Sequence, residues 1–232
     1  MLPLQVIDLG RQDYAGTLEL QRRLCAERAS PDHGLDDVLL LVEHEPVITL
    51  GRTTRPSSMP LTPEAIMRQG VGVHEVERGG DVTWHGPGQL VGYPIVDLRR
   101  LREDLHWYLR SLEDGLIDAL ESLGIPADRH PGQTGVWTAG RKIASMGVHV
   151  KRWVTLHGFA LNVVNDLSGF DLIVPCGIHQ VVMTSVAAEL GSDEPSGQLA
   201  ARTRDAVVAS LGRALSREPR WNQAAATGVA TG

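Results

Sequence analysis

The run from Gly135 to Val164, GVWTAGRKIASMGVHVKRWVTLHGFALNVV, constrains the fold more than any other stretch of the chain. It is rich in β-branched residues and is cut by short turns. The pattern predicts three strands, Val136 to Thr138, Arg141 to Val150 and Val154 to Val164, the last two joined as a long hairpin through Lys151 to Trp153.

Around it the chain mixes strands with helices. Leu4 to Leu9, Val38 to Glu43, Val47 to Leu50, Val73 to Glu77 and Phe170 to Pro175 read as strands, with Val82 to Trp84 a short one between two turns and Pro94 to Leu98 extended. Tyr14 to Arg28 reads as a helix with Tyr14, Leu18 and Cys25 on one face. Leu105 to Leu123 is the clearest helix: Leu109, Leu112, Leu116, Leu120 and Leu123 recur at spacings of three and four, and Gly124 with Pro126 stops it. Further helices are predicted at Pro63 to Gln69, Val182 to Leu190 and Gln198 to Leu215. Strands that arrive both as hairpins and across helices imply an α/β (α+β) fold, a single domain with a mixed β-sheet and packed helices. No internal repeat or dividing linker interrupts residues 1–216, and the Ala-, Thr- and Gly-rich remainder, 217–232, is expected to be a disordered tail.

Composition narrows the function. No apolar run reaches the roughly 20 residues of a membrane span, and the first residues lack a secretory signal pattern, so a cytoplasmic protein with no membrane partner is expected. A net charge of −6 argues against a nucleic-acid partner, which requires a basic face. The nine histidines fall into no metal-ligand spacing, and no metal is expected. A G-x-S-x-G elbow, a Walker A loop and a dinucleotide-binding glycine motif are all lacking.

Two stretches carry the candidate chemistry. Arg78 to Tyr93, RGGDVTWHGPGQLVGY, interleaves glycines with Arg78, Asp81, Thr83, His85 and Gln89, as a substrate cradle would, because glycine lets backbone approach a ligand closely. Cys176 lies between a proline and a glycine in IVPCGI. As a nucleophile it needs a neighbour that removes its proton, and otherwise it is a small buried hydrophobe. Lys142, one of two lysines in the chain, is the candidate partner; the alternative is a solvated strand residue. Strict alternation places Lys142 on one face with Ala144, Met146 and Val148, where it would be half buried. His85 reads as a positioning residue, and His149 and His157 as structural.

These residues carry a resemblance. RGGDVTWHGPGQLVGY, the hairpin GRKIASMGVHV with TLHGFALNV, the turn LIVPCGI followed by TSVAAEL, and the upstream EHEPVITLGR are similar, in order over about residues 4–190, to the lipoyl(octanoyl) transferase family. The resemblance implies the catalytic fold of the biotin and lipoate protein ligases. It also implies transfer of an octanoyl group from acyl carrier protein to a lysine of lipoyl-accepting domains, those of 2-oxoacid dehydrogenases and the glycine cleavage H protein, with no cofactor. By the same resemblance Cys176 carries the acyl thioester and Lys142 activates it. Substrate contacts fall on Arg78, Gly79, Gly80, Asp81, Val82, Thr83, Trp84, His85, Ser145, Met146, Gly147, Gly158, Phe159 and Ala160. Because the partners are generally acidic, Arg141, Lys151 and Arg152 are expected to help dock them. The competing readings are an ATP-dependent lipoate ligase of the same fold, a thioesterase or amidase using the same cysteine, and a catalytically silent binding module.

Overall fold

A computed structural model describes residues 1–178, 180–191 and 193–222. Eleven strands and five α-helices are laid out along these residues. In chain order they are β1 (Leu2–Gln12), α1 (Tyr14–Glu27), β2 (Asp37–His44), β3 (Val47–Leu50), α2 (Pro63–Met67), β4 (Gly72–Glu75), β5 (Val82–His85) and β6 (Gln89–Ile95). Next come α3 (Leu105–Ser122), β7 (Asp128–His130), β8 (Gln133–Thr138), β9 (Arg141–Lys151), β10 (Val154–Asn162), α4 (Val186–Leu190), α5 (Ser196–Ala214) and β11 (Arg217–Trp221).

The large sheet has the order β11-β1-β2-β6-β10-β9-β8-β7, parallel at β11-β1-β2 and antiparallel from there on. Its second strand in sequence is apolar on both faces, as a central strand must be. Leu39 and Leu41 turn to a core shared with Tyr108, Leu112 and Leu116 of α3 and Leu199, Val207 and Leu211 of α5. Val38, Leu40 and Val42 turn to the opposite core, with Leu20 and Cys25 of α1. Burying each such side chain stabilises the fold by roughly 1.5–3 kcal/mol. Both α1 and α3 start on an aspartate whose carboxylate accepts a backbone N–H in the first turn: Asp13 from Gly16, Asp104 from Trp107.

A second sheet of order β4-β3-β5 packs on the α1 side, where Val47 and Val76 meet Tyr14 and Leu18. The groove between the two sheets holds the candidate site. One edge of this groove is the β9–β10 hairpin, closed by Arg152 and Trp153, both at positive φ (51° and 63°), the geometry of a two-residue hairpin turn.

Three expectations from the sequence are corrected, and one strand is added. Phe170 to Pro175 is not a strand; the chain coils through two 3₁₀ turns, Ser168–Leu172 and Pro175–Gly177. Of the helix expected over Val182 to Leu190 only Val186–Leu190 forms, because Met183 is engaged in a bridge to Lys142. Residues 128–130 add an edge strand. Residues 217–221 are ordered as β11, parallel to β1 and fixed by Arg217 Nε donating to Asp37 Oδ2 at 2.6 Å, a pair almost wholly buried. The rest of the expected tail, 223–232, lies outside the described residues.

Candidate active site

Cys176 sits in the Pro175–Gly177 turn at φ 55°, ψ 20°, a left-handed conformation that costs a non-glycine residue on the order of 1–2 kcal/mol. The surroundings hold it there. Gly177 N–H donates to Val174 O and Ile178 N–H to Pro175 O, and Val174 N–H reaches across to Ser58 O. Asp81 braces the same loops: its carboxylate accepts from Ser58 Oγ at 2.7 Å and from its neighbour Val82 N–H at 2.7 Å. A Cβ on Gly177 would come within 2.5 Å of Asp81 Oδ2, so the turn closes only on glycine there.

Lys142 is 1% exposed, and its Nζ lies 3.3 Å from Cys176 Sγ and 3.3 Å from Thr134 O. It does not share the face of Ala144 and Val148. Opposite β8 the register steps from Val136↔Ala144 to Trp137↔Lys142, leaving Ile143 as the extra residue of a β-bulge. Ile143 and Ala144 both enter the helix-side core, while Lys142 turns to the groove together with Ser145, whose Oγ is 3.9 Å from the same sulfur.

Two residues on β8 that sequence reasoning missed shape the path of the lysine. Gly135 adopts φ 134°, and a Cβ there would lie 2.6 Å from Ala144 O and 3.0 Å from Lys142 Cε. The Trp137 ring lies 4.7 Å below Nζ, a cation–π distance. The signal available in the sequence was a lone glycine opening a strand. The backbone of Lys142 is also tied to the chain beyond Cys176, by Lys142 N–H to Val182 O and Thr184 N–H to Lys142 O.

The glycine-rich stretch divides into wall and core. Arg78 is buried and orients the cradle: Nη2 donates to Thr49 O and Oγ1, Nε to Thr49 Oγ1, and Nη1 to Gly79 O. A cleft of about 820 Å³, open to solvent, is lined by Arg78, Gly80, Asp81, Lys142, Met146 and Cys176, with Arg55 and Thr134 at its rim. A smaller cavity, about 360 Å³ with its open mouth included, continues between the sheets past Ser145, Met146, Gly147, Gly158, Phe159 and Ala160, to Thr83, His85, His157, Tyr14 and Tyr93. Arg78 and Met146 line both. Gly79, Val82 and Trp84 line neither. Val82 and Trp84 belong to a small core with Phe170 and Ile173, in which the indole lies over Gly86 and Gly169.

The inner end of this cavity is a buried cluster of rings. Burial pushes His44 down to about 4, His85 to about 3 and His157 to about 4, and raises Tyr14 to about 12, so all four are neutral at pH 7. His85 Nδ1 pairs with Gln89 Oε1 at 2.8 Å, and His44 Nε2 pairs with Tyr93 Oη at 2.7 Å. No described group of three or more His, Cys, Asp or Glu side chains is arranged to hold a metal ion.

Residues 13–209 match the family model of the lipoyl protein ligase A/B catalytic domain. A curated relative from Geobacter sulfurreducens, an octanoyltransferase, is 50% identical over 188 residues, 81% of this chain and 76% of its own. The chain belongs to this family, within its octanoyltransferases. Among solved structures, a lipoate-protein ligase A bound with ATP superposes with a TM-score of 0.71 at 15% identity, covering 99% of this chain and 93% of that one. A biotin protein ligase from Aquifex aeolicus superposes at 0.51 and 15% identity, over 92% and 73%. The fold is therefore that of the lipoate and biotin protein ligase catalytic domains.

For an octanoyltransferase, the groups expected to meet partner proteins are only partly free. Arg141 is held by Glu189 through two hydrogen bonds, of 2.9 and 2.7 Å, whereas Lys151 and Arg152 are exposed. No helix among the described residues is long and apolar enough to cross a membrane.

Proposed function

We propose that this member of the octanoyltransferase family takes an octanoyl group from the thioester of acyl carrier protein onto Cys176 and passes it to a lysine of a lipoyl-accepting domain. The family supplies octanoyl transfer in protein lipoylation; the observation that carries the route through an acyl-enzyme is the 3.3 Å approach of Lys142 Nζ to Cys176 Sγ. Acceptors of this kind belong to 2-oxoacid dehydrogenases and the glycine cleavage system.

In the first half-reaction Sγ attacks the thioester carbonyl as Lys142 takes the thiol proton. The tetrahedral intermediate collapses with cleavage of the donor carbon–sulfur bond, and Lys142 returns the proton to the departing pantetheine thiol. In the second, the acceptor amine attacks the Cys176 thioester, the carbon–sulfur bond to Cys176 breaks, and the proton released by the amine passes through Lys142 to Sγ. Thioester exchange is nearly isoenergetic and amide formation runs downhill, so no nucleotide is required. The narrow cavity from Ser145 to Ala160 would take the alkyl chain. Of the glycine amides that could serve the oxyanion, Gly177 N–H and Gly79 N–H are already donated, to Val174 O and Val148 O.

A ligase reading of the same fold would require ATP and a free acid. Octanoyl carrier protein and an acceptor domain incubated without nucleotide distinguish the two: amide on the acceptor supports transfer, whereas product formed only from free octanoate with ATP would overturn it. Lys151 and Arg152 are proposed as docking charges, so the acceptor's KM should rise with salt.

A further inference from the structure

Glu113 is a carboxylate with no exposure, set in the third turn of α3 among the apolar side chains that face the sheet. Ionised groups are costly to bury unless paired and hydrogen-bonded. Arg110 Nη1 and Arg129 Nε donate to Oε2, at 2.5 and 2.9 Å, from the solvent side. Its other oxygen, Oε1, points inward and accepts the backbone N–H of Gly135 at 3.0 Å.

That contact lands on the segment that shapes the path of Lys142. Gly135 is the residue whose missing Cβ makes room for Lys142 Cε, and the preceding carbonyl, Thr134 O, is the acceptor for Lys142 Nζ. The backbone of residues 134–135 starts β8 near the edge of the sheet. Its position is thus set from one side by Glu113 and answered on the other by the lysine.

We infer that Glu113 is a positioning residue: through Gly135 N–H it fixes the Thr134 carbonyl, and thereby the direction in which the Lys142 amine meets Cys176. It touches neither substrate nor the reacting atoms. The inference rests on the reading of Lys142 as the proton carrier.

Two conservative variants separate this role from simple stabilisation. Glu113→Gln keeps an oxygen at the same reach and loses the charge; Glu113→Asp keeps the charge that the arginines need and falls one methylene short of Gly135. Single-turnover acylation of Cys176 by octanoyl carrier protein is measured with the carrier concentration varied. Glu113→Asp should slow the maximal rate by roughly 10- to 100-fold, the cost of a misplacement near 1 Å, with the carrier's half-saturation unchanged. Glu113→Gln, with its oxygen kept on Gly135 N–H and its amide nitrogen turned to the arginines, should lose stability. Its maximal rate should stay within about threefold of wild type, a smaller loss than that of a displaced lysine. In a Lys142→Ala background Glu113→Asp should slow acylation no further, because its effect passes through the lysine. The reverse order of the two variants, or an Asp effect that persists in full without the lysine, would overturn the inference. If Lys142→Ala alone leaves acylation unchanged, it is the assignment of Lys142 that fails, an outcome distinct from the failure of Glu113.

Discussion

Lys142 Nζ stands 3.3 Å from Cys176 Sγ although the residues lie 34 positions apart and on different kinds of structure, a bulged strand and a 3₁₀ turn. Because the amine is wholly buried, its removal should divide activity from stability. Lys142→Met keeps an unbranched side chain one atom shorter and should slow acyl-enzyme formation by roughly 10²- to 10⁴-fold, the usual worth of a positioned acid or base. Its thermal midpoint should equal or exceed that of wild type, since a buried polar amine gives way to an apolar group. Unimpaired acylation in this variant would remove Lys142 from the mechanism.

Arg78 ties the glycine-rich stretch to β3 through Thr49. A lysine at this position cannot reach Thr49 O, Thr49 Oγ1 and Gly79 O at once, because its donors radiate from one point. Arg78→Lys should therefore lose about 1–3 kcal/mol in urea unfolding, the penalty for buried acceptors left without donors. An unchanged unfolding midpoint would mean that these bonds contribute nothing.

Gly158 faces the backbone of the neighbouring strand. An added Cβ would meet Gly92 O at 2.1 Å and Pro94 Cδ at 2.8 Å, and neither obstacle can rotate away. Gly158→Ala should destabilise by roughly 1–3 kcal/mol and should narrow the inner cavity, so that decanoyl carrier protein loses more acylation rate than hexanoyl. Equal losses for the two chains would separate Gly158 from the acyl path.

The buried rings set an acid limit. His44, His85 and His157 take up protons in the unfolded chain below about pH 6.5, but in the folded protein only near 4, 3 and 4. Between these values the unfolded state binds more protons, so stability is full above pH 6.5 and falls as the pH drops. The slope is about 1.4 kcal/mol per pH unit for each histidine at most. Melting curves should show the midpoint declining from pH 7 to pH 5, before the carboxylates begin to protonate, and His85→Gln should flatten the decline. A flat profile over that range would contradict the assignment of neutral, buried rings.

Periodicity located most of the elements that build the fold, because their apolar faces are decided locally: Leu112 and Leu116 of α3 and the alternating Leu39 to Val42 of β2 stand where their spacing put them. Alternation failed at Lys142, since a single extra residue, Ile143, reverses the facing of the strand beyond it, and nothing in its side chain announces a bulge. The apolar run Phe170 to Pro175 resembles a strand in composition but pairs with none, and it coils into turns that pack on Trp84. Arg217 reads as tail until Asp37, 180 positions away, is seen to hold it. Cys176 and Lys142 were legible as candidates; Thr134 and Gly135 were not, because they act through backbone atoms, and Glu113 was not, because its carboxylate meets a backbone N–H 22 positions away.

The most direct test of the acyl-enzyme is intact mass measured after brief mixing with octanoyl carrier protein in the absence of acceptor and nucleotide. The wild-type chain should gain the mass of one octanoyl group, lose it when an acceptor domain is added, and gain nothing as Cys176→Ala. A full adduct on Cys176→Ala, or acceptor octanoylation by that variant at the wild-type rate, would contradict the assignment of Cys176.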